Sequence, residues 1–165
     1  MEKIKLGISA CLLGEDVRYD GGHRLDRFLT YTLGQYVEYV PVCPEVECGL
    51  PIPREAMHLE GDLDSPRLVT VRTKKDMTDL MTQWARRRVV ELEREDLCGF
   101  IFKSDSPSSG MERVKVYHKK GMPVKKGVGM FARIFMDHFR CFLLRTRDGF
   151  MTRSSETISL SEYSR

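Results

Sequence analysis

Cys11, Cys43 and Cys48 are the side chains of this sequence best suited to soft-metal chemistry. Cys43 and Cys48 form a C-x4-C pair in a segment punctuated by Pro44, Gly49, Pro51 and Pro53, and the helical and strand patterns below place Cys11 just beyond a neighbouring strand. Thiolates on such loops can converge on iron, and C-x4-C is one spacing found at iron–sulfur centres. Without a metal the same three residues read as small buried hydrophobes. Glu45 stands two residues after Cys43, where a carboxylate could take a proton from attacking water and return it to a leaving group, or could be a solvated loop residue. Lys103 opens the hydroxyl-rich run Ser104 to Gly110, containing Ser106, Ser108 and Ser109, whose donors suit a polar heterocycle or a phosphate, although ordinary turn chemistry also produces such runs. Arg18, Tyr19 and Asp20, with His23 and Arg24, could hold a base and its phosphates or pair among themselves. Cys98, at the start of a buried strand, and Cys141, in the distal tail, read as structural.

These residues need elements to position them. Residues 3–10 alternate around Ile4, Leu6 and Ile8 as a strand does, and Leu25, Phe28, Leu29, Leu33 and Tyr36 recur at helical spacing, which predicts a helix over 25–36. Val37 to Val42 is β-branched and aromatic, Leu68 to Arg72 is a short apolar strand, and Asp76 to Glu95 is an amphipathic helix burying Met77, Met81, Trp84, Val89 and Leu92. The opposite face of that helix, with Arg86, Arg87, Arg88, Glu91, Glu93 and Glu95, reads as solvated. Cys98 to Lys103 and Val114 to Tyr117 are further strands, and Val128 to Phe139 is a second amphipathic helix. This alternation is that of an α/β fold, a mainly parallel sheet with helices on both faces in a Rossmann-like three-layer sandwich. Such sheets bind ligands beyond the carboxyl ends of their strands, where the cysteine and serine loops all fall.

Composition narrows the class. The 165 residues match one domain, expected over 1–139 and followed by a polar tail over 140–165. Five cysteines are an odd number, and the opening residues carry no recognisable export signal, so a disulfide framework is not expected and a soluble, cytoplasmic protein is. A net charge of +3 is compatible with a nucleic-acid partner without arguing for one.

Four ordered motifs carry a family resemblance: SACLLG at 9–14 with VRYDG at 17–21, VCPE at 42–45 with GLP at 49–51, Lys103-Ser104, and SPS at 106–108. Together they resemble the thiouracil desulfidase family. VEC at 46–48, ERVKVY at 112–117 and GMPVKKGVG at 121–129 are similar to its longer branch, the tRNA 4-thiouridine desulfidases, in which this domain precedes a second one.

The resemblance implies a [4Fe–4S] cluster held by three cysteines with one iron open to the substrate's sulfur. Cys11 and Cys43 match family ligands. Relatives with a single domain place cysteines where this chain has Ser109 and Val17, and the expected third thiolate here is Cys48. Glu45 would activate water, Ser106 matches a family active-site serine, and the substrate would be a thiolated pyrimidine, as free base, nucleoside or 4-thiouridine in tRNA. Arg18, Tyr19, Asp20, Lys103, Ser104, Ser108 and Ser109 are expected to contact it. A cluster-free nucleotide- or RNA-binding module and a zinc hydrolase using the same cysteines are the alternatives. After the helix over Val128 to Phe139 the chain departs from the longer branch, and codons can be chosen for residues 140–152 whose shifted reading resembles the relatives' continuation. The tail is therefore expected to be exposed, and to be either a frameshifted remnant of a second domain or an ordinary divergent tail.

Overall fold

The computed structural model describes residues 2–139 and the backbone of 150–152. In chain order these form β1 (Ile4–Ser9), β2 (Val37–Val42), α1 (Pro44–Glu47), β3 (Met57–Gly61), β4 (Pro66–Thr70), α2 (Thr78–Arg94), β5 (Gly99–Ile101), β6 (Val114–Tyr117), β7 (Val124–Gly127), α3 (Met130–His138) and β8 (Phe150–Thr152). Two four-stranded sheets result. The first has the order β2-β1-β5-β8, with β1 parallel to both β2 and β5, and β8 antiparallel at the edge. This is the mainly parallel α/β sheet the alternation predicts.

The second sheet, β4-β3-β6-β7, departs from that expectation. Its β3–β4 and β6–β7 pairs are antiparallel hairpins joined by a parallel β3–β6 contact, so the strands expected at Leu68 to Arg72 and at Val114 to Tyr117 leave the main sheet and build their own. The partners of these strands, β3 and β7, escape a pattern search because β3 contains His58 and Glu60 and β7 contains Lys125 and Lys126, residues that fit only a sheet with one wet face.

One core lies between the sheets. Phe100 of β5 and Phe102 just beyond that strand stack at 4.4 Å and meet Phe131 and Phe135 of α3, while Trp84 of α2 packs on Phe131 at 5.3 Å. Leu59, Leu68, Val114 and Val116 close the same cluster from the second sheet. Gly7 makes the Phe100 position available, since a Cβ there would stand 2.2 Å from that ring.

The other face of the first sheet buries Leu6, Ile8, Val37 and Ile101 under Leu12, Leu13, Leu29 and Leu33. That cover is not the helix expected over 25–36. It is a π-helical turn at Phe28–Thr32 followed by a 3-10 turn at Leu33–Gln35. Leu29 and Leu33 pack inward, but Phe28, Tyr31 and Tyr36 are mostly exposed, which leaves little burial to sustain a regular helix. The Tyr39 hydroxyl donates to the Leu29 carbonyl at 2.8 Å and helps hold the widened turn.

The face of α2 expected to be solvated ties elements together: Arg88 reaches Glu47 of α1 at 2.9 Å, Glu93 meets His138 of α3 at 2.9 Å, and Glu95 lies 3.6 Å from Lys5. Among the described residues no helix is long and apolar enough to cross a membrane. The expectation for the tail falls outside the described residues except at Phe150–Thr152, which pairs with β5 as an edge strand. Cys141 lies outside them too.

Candidate active site

The register of the parallel strands builds the site. Ser9 at the end of β1 is paired with Val42 at the end of β2, and Ile8 with Ile101 of β5, so the loops carrying Cys11, Cys43 and Lys103 leave the sheet side by side. Ser9 also accepts a hydrogen bond at its hydroxyl from the Lys103 backbone N–H at 2.9 Å. Cys11 sits in a 3-10 turn over Ala10–Leu13, and its carbonyl accepts the N–H groups of Gly14 and Arg24, which brings the following loop back over the strand ends. Cys43 is the residue before α1, with Pro44 at the first helical position, where its missing N–H costs nothing. The Glu47 carboxylate turns back to accept the Cys43 N–H at 2.9 Å, and Arg88 holds that carboxylate from α2.

These loops enclose a cavity of about 400 Å³. Cys11, Cys43, Glu45, Lys103, Ser106 and Ser109 all line it, together with Arg18, Tyr19, Ser104 and Ser108. Of the expected site residues, Asp20 and Cys48 do not. Asp20 instead pairs with Arg18 at 3.3 Å and accepts the Gly22 N–H at 3.0 Å, contacts that hold its carboxyl below the usual range, the backbone bond contributing most. It orients Arg18, whose guanidinium also lies 5.4 Å from the centre of the Tyr19 ring. Cys48 ends α1 with its thiol donating to the Glu45 carbonyl at 3.2 Å and its side chain against the larger core. Cys98 packs on the smaller core, away from the cavity lining.

Glu45, expected on a loop, lies in α1, and its carboxylate is held at both oxygens. The Arg54 Nε donates to Oε2 at 2.7 Å, and the Ser108 hydroxyl donates to Oε1 at 3.0 Å. Ser108 in turn stands 3.1 Å from the Ser106 hydroxyl, which accepts the Ser109 N–H at 3.0 Å. A hydroxyl relay thus runs from Glu45 through Ser108 to Ser106. The serine loop is fixed by α3: the Pro107 and Ser108 carbonyls accept the first N–H groups of that helix, those of Met130, Phe131 and Ala132. Gly129 permits this, because a Cβ there would be 2.7 Å from the Ser108 backbone and from the Gly110 nitrogen.

Arg54 is the main residue that sequence reasoning missed. Besides Glu45 it donates to the carbonyls of Val17 at 2.8 Å and Pro51 at 3.3 Å, so one guanidinium joins three segments of the cavity wall. Its signal is the run Pro51-Ile52-Pro53-Arg54, whose prolines stiffen the backbone that delivers it.

Burial pushes the Cys11 and Cys43 thiols above their ordinary range, with Lys103 and Arg18 pulling Cys11 back and Arg54 acting likewise on Cys43. Burial likewise lowers the Lys103 ammonium. Two soft donors in a cavity walled by Arg18, Arg24, Arg54 and Lys103 fit an anionic iron–thiolate group. The third donor is not in place, since among the described residues no three His, Cys, Asp or Glu side chains converge as a metal set. Ser109 lines the cavity, whereas Cys48 would have to turn from the Glu45 carbonyl to face it. A tetrahedral zinc site, which needs three or four converged protein donors, is served less well.

A parallel sheet whose carboxyl edge carries two thiols, an anchored carboxylate and a serine relay defines an α/β enzyme of the metal–thiolate kind. The chain belongs to the 2-thiouracil desulfurase family, whose model matches residues 6–146. It is also similar to a solved structure, a [4Fe–4S]-dependent thiouracil desulfidase, TudS, at 29% identity and a TM-score of 0.67 over 82% of this chain and 87% of that one. No curated protein matches the chain.

Proposed function

We propose that the chain removes sulfur from a thiolated pyrimidine by hydrolysis, with a [4Fe–4S] cluster seated against Cys11 and Cys43 and completed by Cys48. The reading is supported by the family match, by the cofactor in the name of the similar structure, and by one observation above others: both thiols share a single cavity with a carboxylate anchored at each oxygen. When bound, a cluster with one open iron supplies a Lewis acid for the substrate's sulfur.

The chain's own groups supply the rest. Glu45 accepts the proton of a water that attacks the thiocarbonyl carbon, and Arg54 keeps the carboxylate aimed while it does so. The Ser108 hydroxyl stays donated to Glu45, and Ser106, by rotating its hydroxyl away from Ser108, offers a donor to the ring or to the charge that develops as the carbon becomes tetrahedral. Arg18, Tyr19, Lys103 and Ser104 line the cavity beside them and bound the substrate. Water's oxygen becomes the carbonyl oxygen and sulfur departs as sulfide, so no external electrons are needed.

The finer substrate assignment is 4-thiouridine, in tRNA or as a smaller thiolated compound. Anaerobically reconstituted protein offered 4-thiouracil, 4-thiouridine and thiolated tRNA should release sulfide from at least the free base and should favour the larger substrates in kcat/KM. Failure of iron-loaded protein to release sulfide from any of the three would end the reading, and a preference for the free base would remove tRNA from it.

A further inference from the structure

A second cavity, of about 360 Å³, adjoins the first, with Asp105 and Pro107 lining both. Its floor is the outward face of the second sheet. Val114 and Val116 point into the core, which leaves Lys115 and Tyr117 outward on β6, and Lys125 is the register partner of Lys115 on β7. Beside them His58 of β3 stacks on the Tyr117 ring with centroids 4.6 Å apart and planes 25° from parallel. Glu60 holds the His58 ring at 3.2 Å, and Tyr117 remains 37% exposed, so the stack presents a fixed aromatic surface to solvent. Neither Lys115 nor Lys125 has a hydrogen-bond or ion-pair partner among the described residues, and Lys119, Lys120 and Lys126 add exposed charge to the same hairpin.

An anchored aromatic face bordered by unpaired ammonium groups on an open sheet is the chemistry that recognises single-stranded nucleic acid, by base stacking and phosphate contact. We infer that this second cavity binds the nucleotide next to the thiolated pyrimidine in a single-stranded RNA segment, with its base on Tyr117 and its phosphates at Lys115 and Lys125. The inference rests on the reading of the first cavity as the seat of the pyrimidine. The shared wall supports continuity: a chain leaving the first cavity past Asp105 and Pro107 enters the second directly. Asp105, exposed between them, can accept from a ribose hydroxyl or a base amino group.

The test is fluorescence anisotropy of labelled pentauridylate with the full chain over a series of salt concentrations. The probe contains no sulfur and the measurement needs no turnover, so its outcome is separate from whether the protein desulfurates anything. Loss of both lysines in Lys115→Ala/Lys125→Ala should reduce the slope of log K against log salt by about 1.4, since each single-strand phosphate contact contributes about 0.7. Tyr117→Ala should weaken binding about tenfold at an unchanged slope. All three positions face outward, and a thermal melt matching the wild type confirms that the variants fold. Wild-type affinity and slope in both variants, or equally tight binding of labelled polyglutamate, would overturn the assignment.

Discussion

The Glu45 carboxylate and the Arg54 guanidinium meet at 2.7 Å with 13% and 5% of their side chains exposed. An ion pair this sheltered, with further bonds from Arg54 to Val17 and Pro51, fixes a carboxylate that shares the cavity with both thiols. Removing one partner leaves a buried charge without compensation, which typically costs about 3–5 kcal/mol. Arg54→Met should therefore lower the unfolding free energy by an amount of that order and depress kcat more than KM, because it frees the carboxylate without altering the substrate's contacts. Unchanged stability and kcat in chemical denaturation and steady-state assays would show that the pair is incidental.

Glu45→Gln tests the proton transfer itself. The amide keeps the shape, and its oxygen can still accept from Arg54 while Ser108 turns to accept from its NH2, but it cannot take a proton from water. Iron content should stay at the wild-type level while turnover falls by about 10²–10⁴-fold. Undiminished turnover would remove Glu45 from the chemistry.

The fold class was legible in the sequence, and so was the gathering of several candidate residues at one sheet edge. Cys11, Cys43, Glu45 and the serine loop were legible because each sits beyond a strand whose apolar pattern is plain. Glu45's anchors were not, because the Arg54 contact depends on tertiary approach across 9 residues and the Ser108 contact across 63. The second sheet was half hidden since β3 and β7 face water with charged residues, and the turns at Phe28–Thr32 imitate a helix in spacing although their aromatics are exposed. Cys48 was legible as a candidate from its spacing to Cys43, but not the orientation of its thiol, which turns to a carbonyl of its own helix.

Gly129→Ala addresses the loop that holds the relay. The backbone there has ordinary helical-entry angles, so the cost is steric: the new methyl meets the Ser108 backbone and the Gly110 nitrogen at 2.7 Å. The variant should lose about 1–3 kcal/mol of stability and lose turnover as Ser108 moves away from Glu45. A variant that melts like the wild type and turns over normally would contradict the tight loop packing.

Cys48 and Ser109 can be separated by iron analysis. With Cys48 as the third ligand, Cys48→Ser should retain less iron after anaerobic reconstitution and desalting. Adding Ser109→Cys, which sets a thiol on the cavity wall, should restore it. Full iron in Cys48→Ser alone would take Cys48 out of the ligand set.

The most direct test is conversion of 4-thiouracil by anaerobically reconstituted protein, with wild type and Cys43→Ala side by side and iron counted in each. The account predicts about four iron atoms per wild-type chain, uracil and sulfide formed in equal amounts, and neither iron nor product with Cys43→Ala. Wild-type protein that carries its full iron and leaves the thiocarbonyl intact, or that converts it equally well without iron, would contradict the account.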